Sequence, residues 1–176
     1  MTTLHASGFL LRPYTASDAP AFAASVRESI ATVGKWMPWA AAGYTEEEAL
    51  SWFDYCDACR DNGTAHEFGI FLPDGVSVVG GAGLNQFNAQ HNFCNLGYWV
   101  RESAQRQGAA FAAASTLADY AIGKLGQTRV EIVVAAENTA SFALALKLGA
   151  LHEGLARNRL KLGDQTVAAH VFSLVP

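Results

Sequence analysis

"NLGYWVRESAQRQGAAF" (Asn95–Phe111) decides how the chain folds. Its first six residues carry aromatic and β-branched side chains and read as a strand. Its last residues open an alanine-rich run, the composition that favours a helix most. Between them lies a short polar connection with Gly108 near its end. Glycine inside a helix costs about 1 kcal/mol relative to alanine. Gly108 therefore either marks the helix start or lets something approach the backbone closely. A strand, a short connection and a helix beginning near Gly108 make an anion site. The first N–H groups of a helix lack partners and carry the positive end of its dipole, and a phosphate satisfies both. Small Ala109 and Ala110 let the anion come near, and Arg106 adds a positive charge. The same pattern also fits a plain strand-to-helix connection.

Working outward, "FLLRPY" (Phe9–Tyr14) reads as a first strand closed by Pro13. "TASDAPAFAASVRESI" is a helix with Ser17 and Asp18 as N-cap chemistry and Phe22, Val26 and Ile30 at helical spacing. "GKWMPWAAAGY" cannot continue a helix. "TEEEALSWFDYCDACRDNG" is a second helix, with Thr45 and Glu48 spaced as a capping box. The period then changes to two. "HEFGIFL", "VSVVGGAGL" and "FCNLGYWV" form a meander, its first turn at "PDG". A helix runs from about Gln107 to Leu125 with a seam of Phe111, Ala114, Leu117, Ala118 and Ile122. "TRVEIVVAA" is a strand, "NTASFALALKLGA" a helix, and "LHEGLARNRL" and "TVAAHVFSLV" are closing strands. This order predicts one mixed α/β domain over 1–176. The strand–helix–strand unit around 93–134 should bring two strands parallel.

Composition narrows the class of partner. Of 176 residues, 51% are hydrophobic, enough for a core, and only 16% are charged. Twelve Lys and Arg against sixteen Asp and Glu give a net charge of −4, which argues against a nucleic-acid surface and leaves room for a cationic substrate. Cys56, Cys59 and Cys94 are too few for a disulfide framework. No secretory leader and no long apolar run is present, so the expected setting is the cytoplasm, away from membranes. "CDAC" has redox or zinc spacing but falls late in a helix without a second ligand pair, so no metal is expected. "GGAGL" (Gly80–Leu84) contains G-x-G after a strand, but no helix follows. Its glycines read as a bulge or a close approach of substrate.

The spacing Gln105-x-x-Gly108-x-Ala110 resembles the Q/R-x-x-G-x-G/A pyrophosphate-binding signature of the GNAT N-acetyltransferase superfamily. "NTASFALALKLGA" is similar to its next conserved segment. "LRPYTASDA", "KWMPW", "GYW" and "HEGLARNR" look like the RimJ/RimL branch. The resemblance implies the GNAT acyl-CoA N-acyltransferase fold, a mixed twisted sheet of about seven strands flanked by about four helices. It implies acetyl-CoA as co-substrate. The amides around Gln105, Arg106, Gln107, Gly108, Ala109, Ala110 and Phe111 would hold the pyrophosphate. Backbone groups of Tyr98, Trp99 and Val100 would hold the pantetheine arm, one N–H acting as an oxyanion donor. Asn138 matches the asparagine that meets the pantetheine.

Acetyl transfer needs a neutral amine, a base and an acid for the leaving thiolate. Ser141, one turn beyond Asn138, is the candidate acid; the other reading is an ordinary helix serine bonded to a carbonyl. Many superfamily members carry a tyrosine four residues further on, where this chain has Ala145. A glutamate often stands two residues before "GYW" in the resembled branch, where this chain has Asn95. That leaves His66, Glu67, Glu131, His152 and Glu153 as candidate bases. Trp36 and Trp39 either line the acceptor pocket or cap the core. Glu46, Glu47 and Glu48 either attract a cation or match the helix dipole. The leading expectation is an N-acetyltransferase acting on a primary amine such as a protein N-terminal α-amine. The rivals are a small-molecule amine (polyamine, amino acid or antibiotic) and a non-catalytic acetyl-CoA-binding protein. Dimers are common in the resembled branch, and the low surface charge is compatible with a homodimer.

Overall fold

The computed structural model describes residues 2–176. Its centre is an eight-stranded sheet: β1 (Leu4–Ala6), β2 (Phe9–Arg12), β3 (His66–Phe71), β4 (Val78–Asn88), β5 (Phe93–Val100), β6 (Arg129–Ala135), β7 (Leu151–Leu162) and β8 (Gln165–Leu174). The spatial order is β1-β2-β3-β4-β5-β6-β8-β7. All neighbours are antiparallel except β5 and β6, the parallel pair expected around the Gly108 helix. The helices are α1 (Ala19–Glu28), α2 (Glu46–Asp61), α3 (Ala109–Gly123) and α4 (Thr139–Lys147). None of them is long and apolar enough to cross a membrane.

The sheet matches the expected mixed sheet of about seven strands, with β1 as one strand that the sequence did not announce. β1 pairs with β2 through a two-residue turn in which Ser7 and Gly8 both take positive φ, 36° and 88°. This is the backbone that a tight hairpin demands. β2 ends at Arg12, short of Tyr14, which turns into the core between α1 and α2. Asp18 stands at the N-cap of the first helix, as expected, but its partner is Thr15 rather than Ser17. Thr15 and Asp18 form the capping box around a short 3-10 turn, and Arg12 grips the buried Asp18 carboxylate with two bonds of 2.8 Å. After α1 the chain makes a π-helical turn over Ile30–Gly34. α2 begins as expected, with Glu48 N–H donating to Thr45 Oγ1 at 3.2 Å and Thr45 N–H to the Glu48 carboxylate at 2.7 Å. Those acidic residues thus serve the helix terminus.

Helices cover both faces of the sheet. On one, Phe22 and Val26 of α1 and Phe53 of α2 pack with Tyr14 and Phe71. On the other, Phe68, Leu84, Leu96, Ile132 and Phe172 meet α3. Period-two alternation along β3 sends Phe68 and Ile70 to one layer and Phe71 to the other. The α3 seam is Ala113, Ala114, Leu117 and Ala121, all fully buried. Phe111 and Ile122, expected in that seam, are only half-buried, and Phe111 instead lies beneath the Lys147 ammonium of α4. Full burial of a side chain like Leu117 contributes about 1.5–3 kcal/mol.

The feature that positions the site is a divergence. β5 and β6 pair for three residues only, Phe93↔Arg129 to Asn95↔Glu131. Beyond that point β5 stays with β4 as far as Val100, and β6 stays with β8 as far as Ala135. A groove opens between them, leaving one edge of each strand without a strand partner.

Candidate active site

The groove has a volume of about 530 Å³ and runs between Leu96–Val100 of β5 and Ile132–Ala135 of β6. Backbone N–H and C=O groups without strand partners seek others, so this edge suits a ligand arm bearing amides. At one end stand Gln105 and Ala110, and Gln105 Nε2 donates to Val100 O at 3.3 Å. α3 starts at Ala109, two residues later than expected, because Gly108 sits at φ 87° as its N-cap. An atom added at its Cβ position would meet open space, so the left-handed backbone is what calls for glycine there. The helical ladder begins with Ala112 N–H to Gly108 O at 2.9 Å, so the earlier amides of α3 are the ones without helical acceptors. Arg106 and Gln107 are exposed beside them.

At the other side of the groove, Asn138 caps α4, its Oδ1 accepting from Ser141 N–H at 3.1 Å. Ser141 Oγ is not spent on a helix carbonyl. It lies 2.8 Å from the Tyr98 hydroxyl, brought across from β5. Ala145 is fully buried on the core side of α4.

A second cavity, of about 320 Å³, opens on the α1–α2 face of β5. Tyr14, Phe22, Trp39, Tyr44, Trp52 and Trp99 wall it, and Gly81, Gly83 and Gly97 line its sheet side. Its ionisable carboxyl is Glu67. Glu67 lies opposite Gly83, and Gly83 lies opposite Gly97, so one cross-strand row spans β3, β4 and β5. Asn85 Nδ2 donates to Glu67 Oε1 at 3.0 Å, and Asn95 Nδ2 donates to Asn85 Oδ1 at 3.0 Å. Burial pushes the Glu67 carboxyl above the usual carboxylate range, against the Asn85 hydrogen bond and the positive charge of Arg60. The glycines of "GGAGL" are explained here. A bulge falls beside Gly80, and the close approach is by the protein's own side chains. A Cβ at Gly81 would stand 2.6 Å from both Trp99 Nε1 and the Tyr14 hydroxyl, and one at Gly83 would collide with the Glu67 carboxylate.

Groove and cavity meet. Met37, Gly97, Tyr98 and Trp99 line both. An extended group in the groove and a small molecule in the aromatic cavity would touch at this stretch of β5.

Of the two tryptophans expected at the acceptor pocket, Trp39 is in the cavity wall, edge-on to Trp99 with centroids 5.6 Å apart. Trp36 is not. It lines the groove, its ring 4.5 Å from the Lys35 ammonium. Of the five candidate bases, Glu67 alone lines the cavity. Glu131 and Glu153 are tied to Arg129, which with Ser173 holds the Glu153 carboxyl down at about 2. His152 bonds His170, and His66 packs against Phe87 and Tyr120. Tyr44, Trp52 and Asn85 had no motif to announce them. Cys56, Cys59 and Cys94 are buried free thiols, with Cys94 pushed up to about 11 by burial. Among the described residues no cluster of three or more His, Cys, Asp or Glu could hold a metal ion.

Residues 9–151, most of the chain, match the Acetyltransferase (GNAT) domain family. The chain belongs to the GNAT acetyltransferase family. A solved structure from Vibrio cholerae, provisionally named a ribosomal-protein-serine acetyltransferase, superposes with a TM-score of 0.88 at 32% identity, covering 99% of this chain and 98% of that one. RimL, the ribosomal L7/L12 alpha-N-protein acetyltransferase solved with coenzyme A, shares the fold with a TM-score of 0.86 at 20% identity over 99% and 98% of the two chains. The uncharacterized N-acetyltransferase p20 of Bacillus licheniformis is 30% identical over 113 residues, and the match spans 64% of each chain.

Proposed function

We propose that this GNAT protein transfers the acetyl group of acetyl-CoA to a primary amine, and that the amine is the N-terminal α-amine of a protein. The observation that carries the reading is the meeting of groove and aromatic cavity at Gly97–Trp99, with one half-buried carboxylate, Glu67, on the acceptor side. Support for the protein acceptor comes from the ribosomal-protein acetyltransferases among the similar structures.

The residues divide the work as follows. The unpaired amides of Ala109, Ala110 and Phe111, with Gln105, Arg106, Gln107 and Gly108 around them, receive the pyrophosphate. The free edge of Tyr98, Trp99 and Val100 and the Asn138 side chain receive the pantetheine arm, and acetyl-CoA supplies the activated thioester. A strand N–H at the end of the arm polarises the thioester carbonyl. The acceptor enters the aromatic cavity as an ammonium. An α-amine has a reference pKa near 8, so a proton must leave before attack. Glu67 takes it. In an aromatic-walled cavity the charged carboxylate–ammonium pair is disfavoured relative to the neutral acid and amine, which makes a carboxyl with a raised pKa an effective base. Trp39 flanks the acceptor, and Trp36 flanks the groove. Ser141 donates to the departing sulfur.

Release of free CoA thiol is the test, run with N-terminal peptides, polyamines, amino acids and aminoglycosides, with mass spectrometry of the product. Acetylated peptide α-amine supports the proposal. Turnover confined to small amines replaces the acceptor, a reading that the modest 320 Å³ cavity favours. CoA binding without any product favours a non-catalytic binding protein.

A further inference from the structure

The geometry points to Tyr98 as the residue that positions the Ser141 hydroxyl and passes it a proton when the thioester sulfur leaves. This rests on the acetyl-transfer reading above. Ser141 has one hydroxyl proton, and its direction decides whether the serine can serve the groove. The Tyr98 hydroxyl is 2.8 Å from Ser141 Oγ. The other acceptor near that phenol is the Ser141 carbonyl at 3.4 Å, a longer contact to an oxygen in the first turn of α4. With the phenol donating to Oγ, the serine proton is released toward the groove that Ser141 lines. A chain of hydrogen bonds of this kind polarises each member, so the serine becomes a better donor than it would be alone.

Acidity supports the same direction. A phenol, with a reference pKa near 10, is a far stronger acid than an aliphatic alcohol. Burial raises Tyr98 further, with the Ser141 hydrogen bond opposing, so the phenol stays protonated and ready to donate. As the C–S bond breaks, its electron pair stays on sulfur. Sulfur takes the Ser141 proton, Ser141 Oγ takes the phenol proton, and the second proton lost by the acetylated nitrogen returns to Tyr98 through groove water. Tyr98 also spans the junction, lining both the groove and the aromatic cavity. Its place in β5 thus brings the residue to where groove and cavity meet, while its hydroxyl is turned to α4.

The experiment uses Tyr98→Phe, which keeps the ring and removes the hydroxyl, Ser141→Ala, and the double variant. Two readouts are taken. The first is steady-state turnover. Each single variant is expected to lose at least ten-fold in kcat, to keep the acetyl-CoA KM within two-fold, and the double variant to be no slower than the slower single one. The second is the ionisation of the thiol of bound CoA, followed by thiolate absorbance against pH. A hydroxyl aimed at sulfur stabilises the thiolate, so the bound thiol should ionise at higher pH in both single variants than in the wild type. Unchanged kcat in Tyr98→Phe, losses that multiply in the double variant, or an unchanged thiol titration would overturn the assignment. Wild-type protein that binds CoA but acetylates no amine would overturn the acetyl-transfer reading instead. The thiol titration would still decide whether Tyr98 directs Ser141.

Discussion

Gly83 faces Glu67 across the β3–β4 pair, and a β-carbon at Gly83 would occupy the space of the Glu67 carboxylate. The glycine is therefore part of how the carboxylate is held. Gly83→Ala should push the carboxylate off Asn85 Nδ2. Overpacking of this kind typically costs about 1–3 kcal/mol. Turnover should fall at least ten-fold while CoA affinity, read by calorimetric titration, stays within two-fold. A folded variant with wild-type kcat would separate the Glu67 geometry from catalysis.

Glu67→Gln tests the base directly and should lower kcat by about 10²-fold or more, the usual contribution of a positioned base. The pH profile carries a sign. Glu67 must be ionised to work and burial raises its pKa, so wild-type kcat/KM should rise with pH through a limb above the ordinary carboxylate range. The variant should lack that limb. Stability should move the other way. A carboxyl whose folded pKa is raised stabilises the fold below its unfolded pKa, and that contribution is lost as pH rises through the folded value. The variant should therefore melt at a higher temperature than the wild type near about pH 8, with the gap closing near about pH 4. A variant less stable at both pH values would contradict a charge-penalised Glu67.

How much of this was legible follows from where each part lies in the chain. The strand at "GYWV", the start of α3 at Gly108 and the Asn138 cap are contiguous and carry their own turn chemistry, so local spacing reveals them. β1 escapes because three residues cannot show a period, and Ser7-Gly8 is its one signal. The aromatic cavity escapes for a different reason. Tyr14, Tyr44, Trp52, Glu67, Asn85 and Trp99 come from separate segments and converge through sheet register. Moving a strand by one residue sends every side chain to the opposite face. No spacing within β3 says that Glu67, rather than His66, faces the cavity. The same register explains Asn95: lacking a carboxylate, it begins the amide chain that ends on one, two strands away.

Gly108 separates backbone strain from ligand access. Its Cβ direction is open, but its φ of 87° suits only glycine. Gly108→Ala should cost about 1–2 kcal/mol in stability from the left-handed backbone and leave CoA affinity within a few-fold. Gly108→Trp should bear the same strain and in addition weaken CoA at least ten-fold, since the indole would stand before the first amides of α3. Denaturant midpoints and CoA titrations on both variants read the two effects apart. Equal CoA affinity in the two variants would move the pyrophosphate elsewhere.

Glu28 ties the acceptor layer to the segment that leads into α3. Its carboxylate accepts from the Arg101 guanidinium and from Ser103 N–H, the latter at 2.7 Å. Next to it, Ser29 Oγ accepts from Glu102 N–H at 3.0 Å while donating to Ser25 O at 2.6 Å. Two consecutive residues at the end of α1 thus hold the first three residues after β5. The Arg101 hydrogen bond, reinforced by Ser103, lowers the Glu28 carboxyl to about 2. A depressed folded pKa stabilises the protein above the unfolded carboxylate value, and the contribution is lost as pH falls toward about 2. Because the pair is partly exposed, Glu28→Gln should cost no more than about 1 kcal/mol near neutral pH. The difference from wild type should shrink steadily on acidification. Acetyl-CoA KM should rise several-fold, because the segment before Gly108 loses its anchor on α1. Denaturant unfolding across that pH range, paired with KM at neutral pH, checks both, and a stability gap that persists in acid would mean that the carboxylate charge is not what holds the segment.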